Sequence, residues 1–386
     1  MSEPTNTVRS EFLEVARPFR VRSGETLPGV TLAYETYGEL NEQKDNAILL
    51  FHALSGSQHA SGFNSSVEPV QSLWNEECQV GWWDGFIGPG KALDTDHFFV
   101  ICANYLGGCY GSTGPNSIEP ETGKPYGGHF PHVALSDIVD SQTLLIDHLG
   151  IERLHAVVGA SLGGLLCLSF ATQYPHRVTH VVSIASALEI PTLQRLFSLE
   201  QIMAIENDPH FNGGHYYDGP FPRSGLALAR MISHKTYISL AFSESRARGE
   251  VRAFNDHFEW YQVRKPQESY MLHQGRKFVK RFDANTYLRI LEAWQRFDLL
   301  EESGYADYAT LFARCVHQKY LVFSIDSDVC FYPEQQGAMV ETLKKSGASC
   351  MHITVHSDKG HDAFLLEPEL FEPHLNYSLN SKYSED

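Results

Sequence analysis

The chain has 386 residues, 42% hydrophobic and 20% charged, so material for a core is ample and global disorder is excluded. Its uninterrupted apolar runs are short, such as the six residues Phe98–Ala103, where a membrane-spanning helix needs about 20. Forty-seven acids against 30 bases give a net charge of −17, which argues against non-specific binding to nucleic acid or anionic membranes and leaves room only for a local basic patch. The length suits two to three domains of about 150 residues, or one α/β domain carrying an insertion. The first twelve residues lack the basic start and apolar stretch of a signal peptide, so a cytoplasmic protein is expected. Seven cysteines, an odd number with no C-x-x-C pair, read as reduced thiols. The 19 histidines are scattered, with no H-E-x-x-H, and no metal site is expected. His352 and His356 lie in a strand-like run, where residues four apart sit roughly 13 Å from each other.

In chain order, Val30–Tyr37 alternates like a half-buried strand, while Asn46–Phe51 and Phe98–Ala103 read as fully buried strands. Ser136–Leu149 carries apolar residues at helical spacing, with Ser136 as its N-cap. Strand Leu154–Gly159, helix Gly163–Tyr174 and strand Val178–Ala185 follow. Buried strands alternating with helices predict a mostly parallel sheet covered on both faces. From Leu188 to Leu300 the pattern turns helical and rich in Arg, His and aromatics. Strand rhythm resumes at Lys319–Ile325 and Met351–His356, and an apolar helix runs from Asp362. The expected organisation is a core of residues 1–187 and 301–386 with an inserted helical cap at 188–300, a device that excludes water from a site.

Gly159-Ala160-Ser161-Leu162-Gly163 is a G-x-S-x-G motif in the setting that it needs, with a strand before and a helix after. The tight turn lifts the Ser161 hydroxyl above the sheet, at the positive end of a helix. A serine hydroxyl is a weak nucleophile and requires a base oriented by an acid. Both partners should follow the serine on loops after late strands. Asp326 and Asp328 follow strand Lys319–Ile325, and local sequence does not choose between them. His361 sits in a turn leading into a helix, whereas His356 still belongs to its strand, so His361 is the better base. The oxyanion donors should be the backbone N–H of Leu162 and one from the loop His52–Ser57, with Leu54 preferred.

With these residues the chain resembles the homoserine O-acyltransferase family, acetyl- and succinyltransferases of methionine biosynthesis on the α/β-hydrolase fold. The likeness runs nearly end to end and is carried by His52–Gly56 (HALSG), Gly81–Thr95 (GWWDGFIGPGKALDT), Asn104–Pro115 (NYLGGCYGSTGP), Pro120–Gly127 (PETGKPYG), Ala229–Tyr237 (ARMISHKTY), Arg281–Tyr287 (RFDANTY) and Gly360–Leu366 (GHDAFLL). It implies Asp328, which precedes an aromatic-Pro segment, as the acid and His361 as the base. It also implies that Arg230, Tyr237 and Asp362, with Ser55, contact the amino-acid substrate; a zwitterion needs a cation for its carboxylate and an anion for its ammonium. The reaction implied is ping-pong transfer from acetyl-CoA to L-homoserine, without a permanent cofactor, in a homodimer formed through the cap helices. Arg276, Lys277, Lys280 and Arg281 form a basic group suited to CoA phosphates or to solvent. Two segments depart from the family pattern: Lys265–Tyr270 (KPQESY) and Ser186–Arg195 (SALEIPTLQR). Both belong to or adjoin the cap, where donor and acceptor are selected. Succinyl-CoA as donor, suggested by HALSGS, L-serine as acceptor, a plain ester or thioester hydrolase, and a silent binding module are the competing readings.

Overall fold

Eight strands make one sheet in the computed structural model, which describes residues 6–68, 70, 72–251 and 258–380. They are β1 (Glu11–Val15), β2 (Val30–Tyr37), β3 (Ala47–Phe51), β4 (Phe99–Ala103), β5 (Leu154–Ala160), β6 (Val178–Ile184), β7 (Lys319–Ile325) and β8 (Ser349–Val355). Their spatial order is β1-β2-β4-β3-β5-β6-β7-β8. Only the β1–β2 and β2–β4 pairs are antiparallel. The continuous apolar runs of the central strands are explained by cover on both faces. Leu49, Phe51, Val157 and Val181 face one core, and their neighbours Ile48, Leu50, Val158 and Val182 face the other.

Helices α1 (Leu135–His148) and α2 (Leu162–Gln173) cover the first face. Between β6 and β7 come α3 (Thr192–Glu206), α4 (Arg223–Tyr237), α5 (Leu240–Glu250), α6 (Pro266–Val279), α7 (Ala284–Gln295), α8 (Leu299–Ser303) and α9 (Tyr308–Ala313). Among the described residues this block adds no strand to the sheet. The α10 helix (Pro333–Lys345) links β7 to β8. Beyond β8, α11 (Ala363–Leu366) and α12 (Glu372–Asn380) bring Phe364, Leu375 and Leu379 to the second face.

Two local details differ from the sequence reading. Strand β1 has no buried run because it is a half-exposed edge strand. Helix α1 starts one residue earlier than expected, and Ser136 is not its cap. Asp137 does that work: one carboxylate oxygen accepts the Ala134 N–H at 2.8 Å and the other the Arg22 N–H at 2.9 Å.

The loop after β3 is tied to β2 by a dry polar cluster. Glu35 accepts from His59 Nδ1 at 2.7 Å, Tyr37 Oη at 2.7 Å, Ser10 Oγ at 2.8 Å and Asn64 Nδ2 at 2.9 Å. Both Glu35 and His59 are fully buried. Removing one member of such a pair strands the other, a loss of about 3–5 kcal/mol. Glu35→Ala is therefore expected to lower the unfolding free energy by about that amount, read from urea titration.

Candidate active site

Strand β5 runs into α2 through a single residue, Ser161, whose φ of 58° and ψ of −122° suit few side chains. Such backbone strain, about 1–3 kcal/mol, persists only where the surroundings impose it. Here the Ser161 N–H donates to the Ile184 carbonyl at 2.9 Å, and its own carbonyl accepts from Gly164 N–H at 3.0 Å. The flanking glycines are required by contact. A Cβ on Gly159 would lie 2.3 Å from the Gly163 carbonyl oxygen, and one on Gly163 would lie 2.2 Å from that of Phe51.

Both acid candidates and both histidine candidates find partners, in two separate pairs. His356 Nδ1 meets Asp326 at 2.8 Å on the surface, with the two side chains 83% and 42% exposed. His361 Nδ1 donates to Asp328 Oδ2 at 2.7 Å with both side chains buried. The other Asp328 oxygen accepts the Cys330 and Phe331 N–H groups at 2.7 and 3.0 Å, which fixes the carboxylate. Burial disfavours a charged imidazole, but the Asp328 carboxylate more than offsets this and holds His361 well above the ordinary histidine range. With Nδ1 engaged, Nε2 is left as the free ring position, and among the described residues it has no hydrogen-bond partner.

Ser161 and His361 line one cavity of about 150 Å³ together with Leu54, Ser55, Arg230, Tyr237 and Asp362. Asp328 and Leu162 do not line it: Asp328 lies behind His361, and Leu162 is the first residue of α2. The N–H groups of a helix's first turn have no partner within the helix, so the Leu162 N–H is free to face a developing anion. Leu54 follows β3 in a loop propped by His52, whose ring stacks on Tyr105 with centroids 3.6 Å apart and whose carbonyl accepts the Tyr105 hydroxyl. Burial holds His52 at about 4, so it is a neutral prop.

Arg230 and Tyr237 are seven residues apart on α4, hence on one face. The guanidinium lies 5.2 Å from the Tyr237 ring centroid and 5.0 Å from that of Phe278, which orients it without spending its donors. Asp362 carries the opposite charge; desolvation pushes its carboxyl up to about 6, against the pull of His361 and Arg230. The cavity thus offers a nucleophile, a base, a cation and an anion. A larger cleft of about 910 Å³ beside β1 contains neither Ser161 nor His361.

Beyond Ala53 and Gly56 of the HALSG loop, the lining residues not singled out as site residues are Trp82, Phe364, Leu365 and, with a different role assigned, Arg281. All lie inside or beside segments already conspicuous in the sequence, GWWDG, GHDAFLL and RFDANTY. Arg281 parts from its basic neighbours. Lys277 pairs with Glu77 at 3.3 Å and Lys280 is exposed, whereas Arg281 faces the cavity. All seven cysteines are free thiols. Among the described residues no three metal-ligating side chains converge, and no helix is long and apolar enough to cross a membrane.

Comparison with known proteins adds a family. Residues 46–368 match the family described as alpha/beta hydrolase fold. A homoserine O-acetyltransferase of Deferribacter desulfuricans is 42% identical over 363 residues, covering 93% of this chain and 92% of its own. A homoserine O-succinyltransferase of Alkalilimnicola ehrlichii is 43% identical over 366 residues, covering 94% and 92%. The crystal structure of homoserine O-acetyltransferase from Bacillus anthracis superposes with a TM-score of 0.87 at 28% identity, covering 98% of this chain and all of that one.

The serine turn makes its own prediction. Gly159→Ala is expected to cost about 1–3 kcal/mol in thermal unfolding and to slow labelling of Ser161 by a fluorophosphonate, because the added methyl must displace the Gly163 carbonyl.

Proposed function

The chain belongs to the α/β-hydrolase-fold family of homoserine O-acyltransferases, and on that footing we propose that it moves an acetyl group from acetyl-CoA to the side-chain hydroxyl of L-homoserine, giving O-acetyl-L-homoserine for methionine biosynthesis. One observation supports this reading above the others: Ser161 and the Asp328-bound His361 share their cavity with a guanidinium and a carboxylate. A plain esterase has no need of fittings for a zwitterion.

In the first half-reaction His361 Nε2 takes the Ser161 proton while Oγ attacks the thioester carbonyl. The Leu54 and Leu162 N–H groups meet the oxyanion. The C–S bond then breaks, and His361 returns the proton to the departing thiolate. In the second half, Arg230 and Tyr237 hold the homoserine carboxylate, Asp362 holds its ammonium, and Ser55 borders the same space. His361 takes the proton of the homoserine hydroxyl as that oxygen attacks the acyl-serine carbonyl. The bond to Ser161 Oγ breaks, and His361 hands the proton back to it. Asp328 keeps the imidazole in the required tautomer throughout.

Acyl transfer must outrun hydrolysis, and residues 188–300 serve as the cap that keeps water from the acyl-serine, over a core of 1–187 and 301–386. Exposed Leu196, Leu199 and Met203 on α3 and Leu228 on α4 leave apolar surface on that cap, in keeping with a homodimer joined through it. The free thiols suit a cytoplasmic enzyme. Succinyl-CoA is the second donor reading, because relatives bearing that name are as similar as those named acetyltransferases. Weighing the products made from each acyl-CoA decides between them.

Ser161→Ala should abolish thiol release from acetyl-CoA; release at a near wild-type rate would remove Ser161 from the mechanism. A pH test addresses Asp362. Only its ionised form attracts an ammonium, so KM for L-homoserine should fall as pH rises through about 6. Asp362→Asn should raise KM and flatten that dependence.

A further inference from the structure

The cavity holds a second guanidinium, Arg281, for which the zwitterion leaves no role once Arg230 and Asp362 are engaged. Its location also argues against a CoA phosphate. Arg281 borders the same 150 Å³ space as Ser161, whereas the phosphates of CoA lie a full pantetheine arm away from the thioester. Its contacts point instead to the loop that carries an oxyanion donor. Arg281 Nη1 donates to the Ser55 carbonyl at 3.2 Å, across 226 residues of sequence. The Ser55 carbonyl lies two peptides beyond the Leu54 N–H, in the turn that the Gly56 N–H to Ala53 carbonyl bond closes at 3.0 Å, so the contact restrains the turn that carries Leu54.

The guanidinium itself is held from several sides. It sits 5.1 Å from the Phe278 ring centroid, 3.4 Å from Tyr110 Oη and 3.8 Å from Glu77, and the Tyr110 hydroxyl donates to the Arg281 backbone carbonyl. Two residues on, buried Asp283 caps α7 and accepts the Tyr216 and Tyr217 hydroxyls at 2.7 and 3.1 Å. The segment that delivers Arg281 is therefore anchored at both ends, and it meets the loop after β3 at the Ser55 carbonyl, beyond the part that His52 props.

We propose that Arg281 is a positioning residue for acyl transfer: it clamps the Ser55 carbonyl so that the Leu54 N–H stays aimed at the oxyanion, and thereby couples the α6–α7 junction to the chemistry. The proposal rests on the acyl-serine mechanism above. A lysine keeps the charge but loses the planar fork, and so restores only part of the function. Deleting an oxyanion donor outright costs about 10²–10³ in kcat, and a displaced donor falls below that range.

The test is single-turnover acylation and steady-state kinetics of Arg281→Ala and Arg281→Lys, with product identity checked on the wild type. For Arg281→Ala the expected result is a 10- to 100-fold slower acylation step, with KM for L-homoserine changed less than about threefold. Added guanidinium ion should restore part of the rate. Tyr110→Phe, which withdraws the hydroxyl from both Arg281 contacts, should shift the rate in the same direction by less, and it keeps the test open if Arg281→Ala does not fold. Unchanged acylation in these variants would overturn the proposal, as would a raised KM for L-homoserine or acyl-CoA with kcat intact, which would make Arg281 a substrate anchor. Failure of the wild type to acylate L-homoserine would instead sink the reading on which the proposal rests.

Discussion

A side chain at φ 58° is the constraint from which the rest of this site follows. Ser161 occupies that strained turn because β5 must end and α2 begin within one residue, with the Phe51 and Gly163 carbonyls pressed into the space that larger neighbours would fill. The strain is borne by packing on both faces of the sheet, where β3 and β6 are buried throughout and β5 at every residue but His155. A loosely covered sheet would let the turn relax and the hydroxyl swing away from its base. The two buried cores thus hold the serine turn as much as they hold the fold.

Burial also separates the carboxylate–imidazole pair at the cavity from its surface counterpart. Asp326–His356 and Asp328–His361 have nearly equal hydrogen-bond lengths, 2.8 and 2.7 Å, so distance does not distinguish them. The dielectric does. An exposed pair is screened by water and salt, whereas a pair packed against Phe331 and Phe364 is screened less. The same low dielectric raises the Asp362 carboxyl and keeps His52 neutral. Burial thus acts in three ways around one cavity: it keeps His52 neutral, lifts the Asp362 carboxyl, and opposes a charge on His361 that the Asp328 carboxylate restores.

The pattern of legibility follows from how far each feature depends on distant chain. The central strands were readable because burial on both faces leaves continuous apolar runs, and β1 was not, because an edge strand buries too little to leave a signature. The serine turn was readable because its glycines and serine fall within five consecutive residues, although the Phe51 carbonyl that demands Gly163 comes from a distant strand. The choice between Asp326 and Asp328 was not legible locally: both follow β7 and both meet a histidine, and the difference lies in how α11 and the Phe331 segment close over one of them. Asp137 overrode Ser136 at α1 because an acid in the first turn can reach back to the Ala134 N–H, and its second oxygen takes up the distant Arg22 N–H. Arg281 looked like one of four basic residues on a face, since helical spacing says nothing of where the chain turns after α6.

The helical block between β6 and β7 connects these observations. Arg230, Tyr237 and Arg281 reach the cavity from it, while Ser161, His361 and Leu54 reach the cavity from the sheet. Neither half alone encloses the reacting atoms. A transferase must bind its acceptor more effectively than 55 M water competes, and the gain comes from orientation, which is worth about 7–11 kcal/mol when groups are well placed. Arg230 and Arg281 bring cations to the cavity from the helical block and Asp362 brings an anion from beyond β8, so the charges that could supply orientation are divided between the two halves.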